Sequence, residues 1–189
     1  MYGHDPSTLI VDELGICTGL ARVDMAVVNG ELKGFEIKSD RDTLSRLPGQ
    51  SHLYGRVFDT MTIVVGPRHL EKAKSIAPVW WGIMVATADR IKPLELTRVR
   101  SETENTDHDA LSVSQLLWRD EALEVLEKSG LVKGLRNRPR RCLWEALASN
   151  FCLSDLRRIV REQLKRRRNW RVAAAHTQRG GRSPLSAKS

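Results

Sequence analysis

The chain has 189 residues, of which 41% are hydrophobic, so it can bury the core of one folded domain and is not a wholly disordered chain. Its formal net charge of +8 at pH 7 favours a polyanionic partner, and nucleic acid is the first candidate. The first residues carry no signal-peptide pattern, and the longest apolar run, residues 79–86, is too short to span a bilayer. We therefore expect a cytoplasmic protein that binds no membrane.

A first strand is predicted over Ser7–Glu13, and a β-hairpin follows over Ala21–Lys38. Asn29-Gly30 lies between two apolar runs of the hairpin, and this dipeptide favours the positive φ that a tight turn requires. Successive side chains of a strand point to opposite faces. Glu36 and Lys38, two residues apart on the second arm, therefore point to the same face.

The length of the hairpin loop decides whether Asp24, on the first arm, joins that face. A two-residue loop pairs Val28 with Glu31 and puts Asp24 and Glu36 on opposite faces. A three-residue loop pairs Val28 with Leu32 and Asp24 with Glu36. We favour the three-residue loop because the burial of one face selects the register of a hairpin. In that register the other face gathers apolar residues expected to form a core layer: Val23, Met25, Val27, Phe35 and Ile37.

Two carboxylates that face each other across a ladder repel. A hard divalent cation relieves this repulsion, because Mg²⁺ binds carboxylates while it keeps waters and accepts phosphate oxygens, and Mn²⁺ takes the same ligands. Lys38, on the same face, adds a positive charge that could hold a water or stabilise a phosphate transition state. The hairpin therefore predicts a metal-assisted site for phosphodiester chemistry.

The spacing between Asp24 and Glu36-Ile37-Lys38 resembles the motif of the PD-(D/E)XK restriction-endonuclease-like nucleases, with Val23 where that family often has proline. Gln50-Ser51-His52-Leu53-Tyr54 resembles the Q-x-x-x-Y helix motif of a subset of the superfamily. The run over residues 36–50 is similar to a branch of small, largely uncharacterised bacterial and phage proteins. The superfamily's usual first helix has little room in this chain.

The resemblance implies an α/β fold, a restriction-endonuclease-like mixed central sheet flanked by helices with a helical C-terminal extension. It also implies that Asp24, Glu36 and the Ile37 carbonyl bind Mg²⁺ or Mn²⁺ and that Lys38 activates water. Gln50 and Tyr54 would orient the substrate, although Tyr54 is also consistent with a core residue. Glu13 is the upstream candidate for a third acidic ligand, and an exposed strand-end carboxylate is an equal interpretation.

The rest of the core is predicted from pattern. The chain should turn helical after Lys38, where Ser39 and Asp42 match a capping box, and a second helical segment should run from Pro48 to about Phe58. Met61–Val65 is a continuous apolar run typical of a strand buried on both faces. A short helix over residues 69–76 and two strands over residues 79–86 and 91–100 complete the predicted core.

The C-terminal part is predicted to be helical and basic. Residues 101–110 are polar and predict a linker, in which Asp107, His108 and Asp109 are better explained as loop residues than as metal ligands. Helices are predicted over residues 112–128, from Pro139 to about residue 150, and from Ser154 onward. Nucleic-acid contacts are expected from basic side chains in both parts of the chain: Arg41, Arg46, Lys165, Arg166, Arg167 and Arg168.

Four regions follow: a nuclease-like core over 1–100, the linker over 101–110, a basic helical region over 111–171, and a disordered tail over 172–189. The leading interpretation is a divalent-metal-dependent nuclease, with DNA favoured over RNA as the partner. The alternatives are a non-catalytic nucleic-acid-binding module on the same fold and a protein-interaction adaptor built on the C-terminal helices. The sequence leaves open the specificity for single or double strands and the biological pathway. It also leaves open the oligomeric state, for which a homodimer is one possibility.

Overall fold

Within residues 7–88 and 93–167, which a computed structural model of the chain describes, six strands form one mixed sheet in chain order. The β1–β2 and β2–β3 pairs are antiparallel, β3–β4 and β4–β5 are parallel, and β5–β6 is antiparallel. The predicted mixed α/β architecture is confirmed at this level. The strands are β1 (Leu9–Ile16), β2 (Ala21–Asn29), β3 (Glu31–Lys38), β4 (Thr60–Val65), β5 (Gly82–Thr87) and β6 (Glu95–Arg100).

Helices flank the sheet and make up most of the described C-terminal part. Those inserted between parallel strands are α1 (Leu47–Gly55) and α2 (Leu70–Ile76). Those that follow the sheet are α3 (Ala110–Ser114), α4 (Arg119–Lys128), α5 (Arg140–Asn150) and α6 (Leu153–Arg166). In the described ranges no helix is both long and apolar enough to cross a bilayer. The predicted disordered tail, 172–189, lies outside these ranges.

Several predicted boundaries are wrong, and local hydrogen bonds explain two of them. The chain does not become helical after Lys38, because the Asp42 carboxylate accepts the backbone N–H and the hydroxyl of Ser39, both at 2.7 Å, and closes a turn. β5 begins at Gly82 rather than residue 79, since Trp81 N–H donates to the Pro78 carbonyl in a turn. The strand predicted from residue 91 begins at Glu95. The helix predicted over 112–128 is two helices, α3 and α4, separated at residues 115–118.

The β2–β3 hairpin has the predicted three-residue-loop register. Val28 pairs with Leu32, and Asn29 pairs with Glu31 across Gly30, whose φ of 72° is the positive value that its position demands. Continuing this register past the Met25–Phe35 pair places Asp24 opposite Glu36. The two acidic side chains therefore share one face of the sheet.

The prediction of which face forms the core is wrong in part. Val23 and Val27 are buried, but Met25 and Phe35 are only half-buried and Ile37 is 51% exposed. The more deeply buried face is that of Asp24 and Glu36, which contains Ala26, Val28, Leu32 and Gly34. On this face a Cβ at Gly34 would lie 2.2 Å from the Met61 sulfur, so glycine is needed for close packing. Glu36 is therefore buried in the main core, and Asp24 lies half-buried on the same face.

A buried carboxylate connects the sheet to the C-terminal helices. Asp59, only 2% exposed, accepts the Leu32 backbone N–H at 2.7 Å and contacts the His108 ring at 3.0 Å. From α6, Arg157 and Arg161 reach its two oxygens at 2.6 and 3.4 Å. Burial alone raises the pKa of Asp59, but the hydrogen bonds from His108 and Leu32 and the two arginine charges outweigh it, so the pKa is lowered. The segment before α3 thus packs on the core through His108.

We predict that Asp59→Ala lowers the free energy of unfolding by about 3–5 kcal/mol, because the largely buried Arg157 and Arg161 lose the carboxylate that they share. Urea denaturation near neutral pH measures this decrease. Asp107→Ala, at an exposed position on the same segment, is the control and should change stability by less than about 0.5 kcal/mol.

The stability difference between the native protein and Asp59→Ala is predicted to depend on pH. Because the pKa of Asp59 is lower in the folded protein, its contribution is fully present above the unfolded pKa of about 3.9 and disappears as pH falls through the folded pKa. The stability difference between native protein and Asp59→Ala should therefore shrink below about pH 4. A difference that stays constant into acid would contradict the charged state assigned to Asp59.

Candidate active site

The candidate site is centred on the carboxylate of Glu36, which is 1% exposed. Lys38 Nζ lies 2.6 Å from its Oε1, the Gln50 side-chain amide donates to the same oxygen at 3.3 Å, and the Tyr54 hydroxyl lies 2.7 Å from Oε2. A buried carboxylate needs such donors and a nearby cation to remain ionised. Four residues that the sequence predicted as site residues are thus brought into contact by one strand and one helix.

Tyr54 is both a core residue and a site residue. Its fully buried ring stacks on Trp81 at a centroid distance of 5.9 Å and meets Phe58 edge-on. Its hydroxyl lies 2.7 Å from the Arg22 backbone carbonyl as well as from Glu36. Burial, and then the hydrogen bond and negative charge of Glu36, raise the pKa of Tyr54 well above its usual value. The phenol therefore keeps its proton and acts as a donor.

Asp24 lies at the exposed side of the cluster, opposite Glu36 in the hairpin register. Its Oδ2 accepts the backbone N–H of Ile37 at 2.7 Å. This bond spans the two strands and holds the carboxylate beside the second arm of the hairpin. Asp24, Glu36 and the backbone carbonyl of Ile37 consequently belong to one short stretch of the β2–β3 ribbon.

The donor set at this stretch fits a hard cation. Two carboxylates and a backbone carbonyl provide only oxygen ligands, which Mg²⁺ and Mn²⁺ prefer. Among the described residues, Lys38 is the only cation bonded to Glu36, so the charges of Asp24, Glu36 and Lys38 leave a negative site. In addition, the buried Oε1 of Gln50 has no hydrogen-bond partner among the described residues. The site thus has a net negative charge and one hydrogen-bond acceptor without a donor.

Glu13 does not complete this set as placed. It lies within β1 rather than at a strand end, and its φ of 52° breaks the regular alternation of the strand. The ladder register would put it opposite Asp24, but its carboxylate forms an exposed ion pair with Arg22 at 3.1 Å. In the described ranges the structure holds no group of three or more His, Cys, Asp or Glu residues arranged to bind a metal.

The residues predicted to contact nucleic acid lie in two regions. Arg41 and Arg46 are exposed in the loop between β3 and α1. Lys165 and Arg166 lie in the last turn of α6, whereas the Arg167 side chain is only 5% exposed and is held by both oxygens of Glu121 at 2.6 Å. Arg168 lies outside the described residues.

Sequence reasoning missed two parts of the site. Trp81 supports the Tyr54 ring from the segment that enters β5, and the adjacent tryptophans at 80 and 81 were a signal for a buried aromatic. The Arg22 carbonyl, which contacts the Tyr54 hydroxyl, carries no sequence signal because every residue has a carbonyl. His52, inside the Q-x-x-x-Y motif, is exposed and contacts Arg56 at 3.2 Å, away from the cluster.

Comparisons with known proteins match most of the chain. The profile of the family described as Bacteriophage P4 protein cII matches residues 2–180. Protein cII of Enterobacteria phage P4 is 28% identical over 162 residues, which cover 84% of this chain and 59% of that protein. The chain thus spans under two thirds of the length of that relative. No solved structure matches.

We predict that the Tyr54 phenol stays protonated where an ordinary tyrosine ionises, near pH 10. An alkaline absorbance titration of the native protein, from which that of Tyr54→Phe is subtracted, should show no phenolate signal before unfolding. Because the unfolded chain releases this proton first, native stability should fall above about pH 10, and less so in Tyr54→Phe. A difference signal with an ordinary midpoint in the folded protein would contradict the buried hydrogen bond.

Proposed function

The chain belongs to the bacteriophage P4 protein cII family, and we propose that it is a divalent-metal-dependent nuclease that hydrolyses phosphodiester bonds in DNA, built on a restriction-endonuclease-like fold. One observation carries the proposal. The β2–β3 hairpin puts Asp24, Glu36 and Lys38 on one face, where α1 adds Gln50 and Tyr54. Charged groups gathered at a buried carboxylate cost free energy to desolvate and are typical of functional sites.

Asp24, Glu36 and the Ile37 carbonyl are the groups that would hold Mg²⁺ or Mn²⁺. Bound there, the ion would polarise a phosphoryl oxygen and lower the pKa of a water. Within the chain, the Ile37 N–H orients the Asp24 carboxylate at 2.7 Å. Tyr54 and Gln50 orient the Glu36 carboxylate from the helix side, so both carboxylates are pre-positioned before a ligand binds.

Lys38 is the group assigned to the reacting water and to the charge of the transition state. Its side chain is 13% exposed and its ammonium lies 2.6 Å from Glu36, so the charge is held in place in a side chain that is not fully buried. A fixed positive charge at such a point stabilises the negative charge that develops on a phosphoryl group. Lysine also serves well as a compact point charge on phosphate.

DNA is the proposed substrate because the chain is strongly basic, with 31 Lys and Arg against 23 Asp and Glu. Sequence-independent attraction to the phosphate backbone follows from such a charge excess. The charges of Lys165, at the end of α6, and of Arg41 and Arg46, near the site, would contribute to it. The charge of Arg166 would contribute less, because Arg166 pairs with Glu124 at 3.7 Å.

A second candidate is a non-catalytic nucleic-acid-binding module on the same fold. It is favoured by the saturation of Glu36, whose carboxylate already has three donors, and by the ion pair that holds Glu13 away from Asp24. In that case the acidic pair and Lys38 would be a satisfied polar network that stabilises the hairpin. The two candidates differ in metal dependence.

We predict that Lys38→Met lowers cleavage of linear, circular or branched DNA by about 10²–10³-fold and leaves Mn²⁺ affinity largely unchanged. Cleavage with Mg²⁺ or Mn²⁺ and calorimetric titration with Mn²⁺ measure the two effects, and RNA is assayed in parallel. Lys33→Met is the control, because Lys33 lies on the other face of β3 and pairs with Glu31 at 2.9 Å. It should cleave as the native protein does.

We further predict that Asp24→Asn loses both metal binding and cleavage, since the amide still accepts the Ile37 N–H but carries no charge. Its fold should remain intact by urea denaturation. If the native protein cuts no DNA with either ion and Asp24→Asn binds DNA equally well, the binding module is the correct assignment. If cleavage persists in Lys38→Met, the site named here is wrong.

A further inference from the structure

The edge of the sheet beside the candidate site carries two loops that follow β3 and β4. Lys38 and Val65 are paired at the ends of these parallel strands, and the Gly66 N–H donates to the Lys38 carbonyl at 2.9 Å. The chain then forms one loop over residues 39–46 and a second connection over residues 66–69, in which Pro67–His69 is a 3-10 turn; the two connecting loops are here called together the rim. Ligands of α/β sheets commonly bind outside the carboxyl ends of such strands.

Asp40 holds the two loops of the rim together. Its Oδ1 accepts the backbone N–H of Arg68 at 3.1 Å. A Cβ at Gly66 would lie 2.1 Å from the same oxygen, so the approach of Asp40 requires a glycine there. The positions of Arg41 and Arg68 relative to each other are therefore set by a side-chain contact between residues that are distant in sequence.

The rim exposes three arginines that form no ion pair in the described structure, against the two carboxylates of Asp40 and Asp42. Arg41, Arg46 and Arg68 are exposed, and the structure gives none of them an ion pair within the described ranges. Arginines on the C-terminal helices differ, because Arg141 pairs with Glu145 at 2.7 Å and Arg158 with Glu162 at 2.9 Å. Guanidinium groups without a partner on one edge form a site of positive potential.

The acidic residues of the rim do not cancel this potential by pairing with its arginines. Asp40 accepts the Arg68 backbone N–H, and Asp42 accepts the backbone and hydroxyl of Ser39. The hydrogen bonds from Ser39, and then the charges of Lys38 and His69, lower the pKa of Asp42, so this carboxylate serves to hold the loop. Neither carboxylate is within salt-bridge distance of a rim guanidinium in the described structure.

We propose that the rim binds the phosphodiester backbone of duplex DNA next to the candidate active site, with Arg68 as a contact residue and Asp40 as a positioning residue. The guanidinium fork matches phosphate geometry. Neither rim loop contains Phe, Trp or Tyr, and the one ring side chain present, His69, is half-buried with its Nε2 enclosed. The rim therefore lacks an exposed stacking platform for unpaired bases and suits a duplex backbone. The claim that the bound strand is also the one cut rests on the proposed function.

The first test measures binding without catalysis. Affinity for a short labelled duplex is determined by anisotropy in EDTA over a series of salt concentrations. Arg68→Ala should weaken binding and lower the slope of log affinity against log salt by about 0.9, the value expected for removing one arginine from a phosphate. Arg141→Ala, an exposed arginine neutralised by Glu145, is the matched control and should leave the slope unchanged. An unchanged slope in Arg68→Ala would overturn the proposal.

The second test uses the sign of the Asp40 effect. Asp40→Ala removes a negative charge, so DNA binding should tighten if Asp40 acts only through its charge and should not change if Asp40 has no role. If Asp40 positions the Arg68 loop, Asp40→Ala should instead weaken DNA binding. Gly66→Ala, which forces Asp40 away from this loop, should also weaken it. Unchanged urea denaturation midpoints would separate this effect from unfolding. Tighter or unchanged binding by Asp40→Ala would overturn the positioning role.

The two proposals can fail separately. If the native protein cuts no DNA but Arg68→Ala weakens its salt-dependent binding, the rim proposal is supported and the nuclease proposal is rejected. If the native protein cuts DNA with Mg²⁺ and Arg68→Ala binds and cuts equally well, the nuclease proposal is supported and the rim proposal is rejected. A native protein that binds no duplex in EDTA at low salt also overturns the rim.

Discussion

The buried carboxylate of Glu36 is the interaction on which the candidate site depends. Burying a charge costs free energy unless donors surround it, and here Lys38 comes from its own strand while Gln50 and Tyr54 come from α1. The Tyr54 ring is in turn fixed by Trp81 and Phe58. The core and the site therefore share the same residues, and the packing of α1 on the sheet also orders the polar cluster.

A second buried carboxylate, Asp59, lies at the other end of the parallel strands. It sits one residue before β4 and takes charge from Arg157 and Arg161 of α6, and so joins the C-terminal helices to the sheet. The two carboxylates differ in what surrounds them. Asp59 is surrounded by the cations of α6 and behaves as a structural ion-pair centre. At the other end of the ribbon, the two negative charges of Asp24 and Glu36 outnumber the one positive charge of Lys38.

The distribution of paired and unpaired cations separates structural from functional roles in a basic chain. Arg167, predicted as a solvent-facing contact for nucleic acid, is instead enclosed by Glu121 and the Leu116 carbonyl and lies over the Trp118 ring. The exposed arginines of the rim carry no such partners among the described residues. A count of Lys and Arg in the sequence cannot distinguish these two states, because the compensating carboxylates are distant along the chain.

The sequence by itself determined the parts of this protein that depend on local chemistry. Asn29-Gly30 specifies the tight turn, and the match of acidic and apolar positions on its two arms favoured the three-residue-loop register that the structure has, because turn conformation and side-chain alternation are set by near neighbours. The apolar run over residues 61–65 specifies a buried strand. The spacing of Asp24, Glu36 and Lys38, with Gln50 and Tyr54 one helical turn apart, likewise allowed the candidate cluster to be predicted.

Tertiary structure alone decided which face of the hairpin became the main core, since that depends on where α1 and Phe58 pack and not on the hairpin's own pattern. It also decided that the loop of Arg68 is held beside the loop of Arg41 by the Asp40 carboxylate. These features arise from contacts between residues far apart in sequence, whose free energies outweigh local propensity once the sheet has formed.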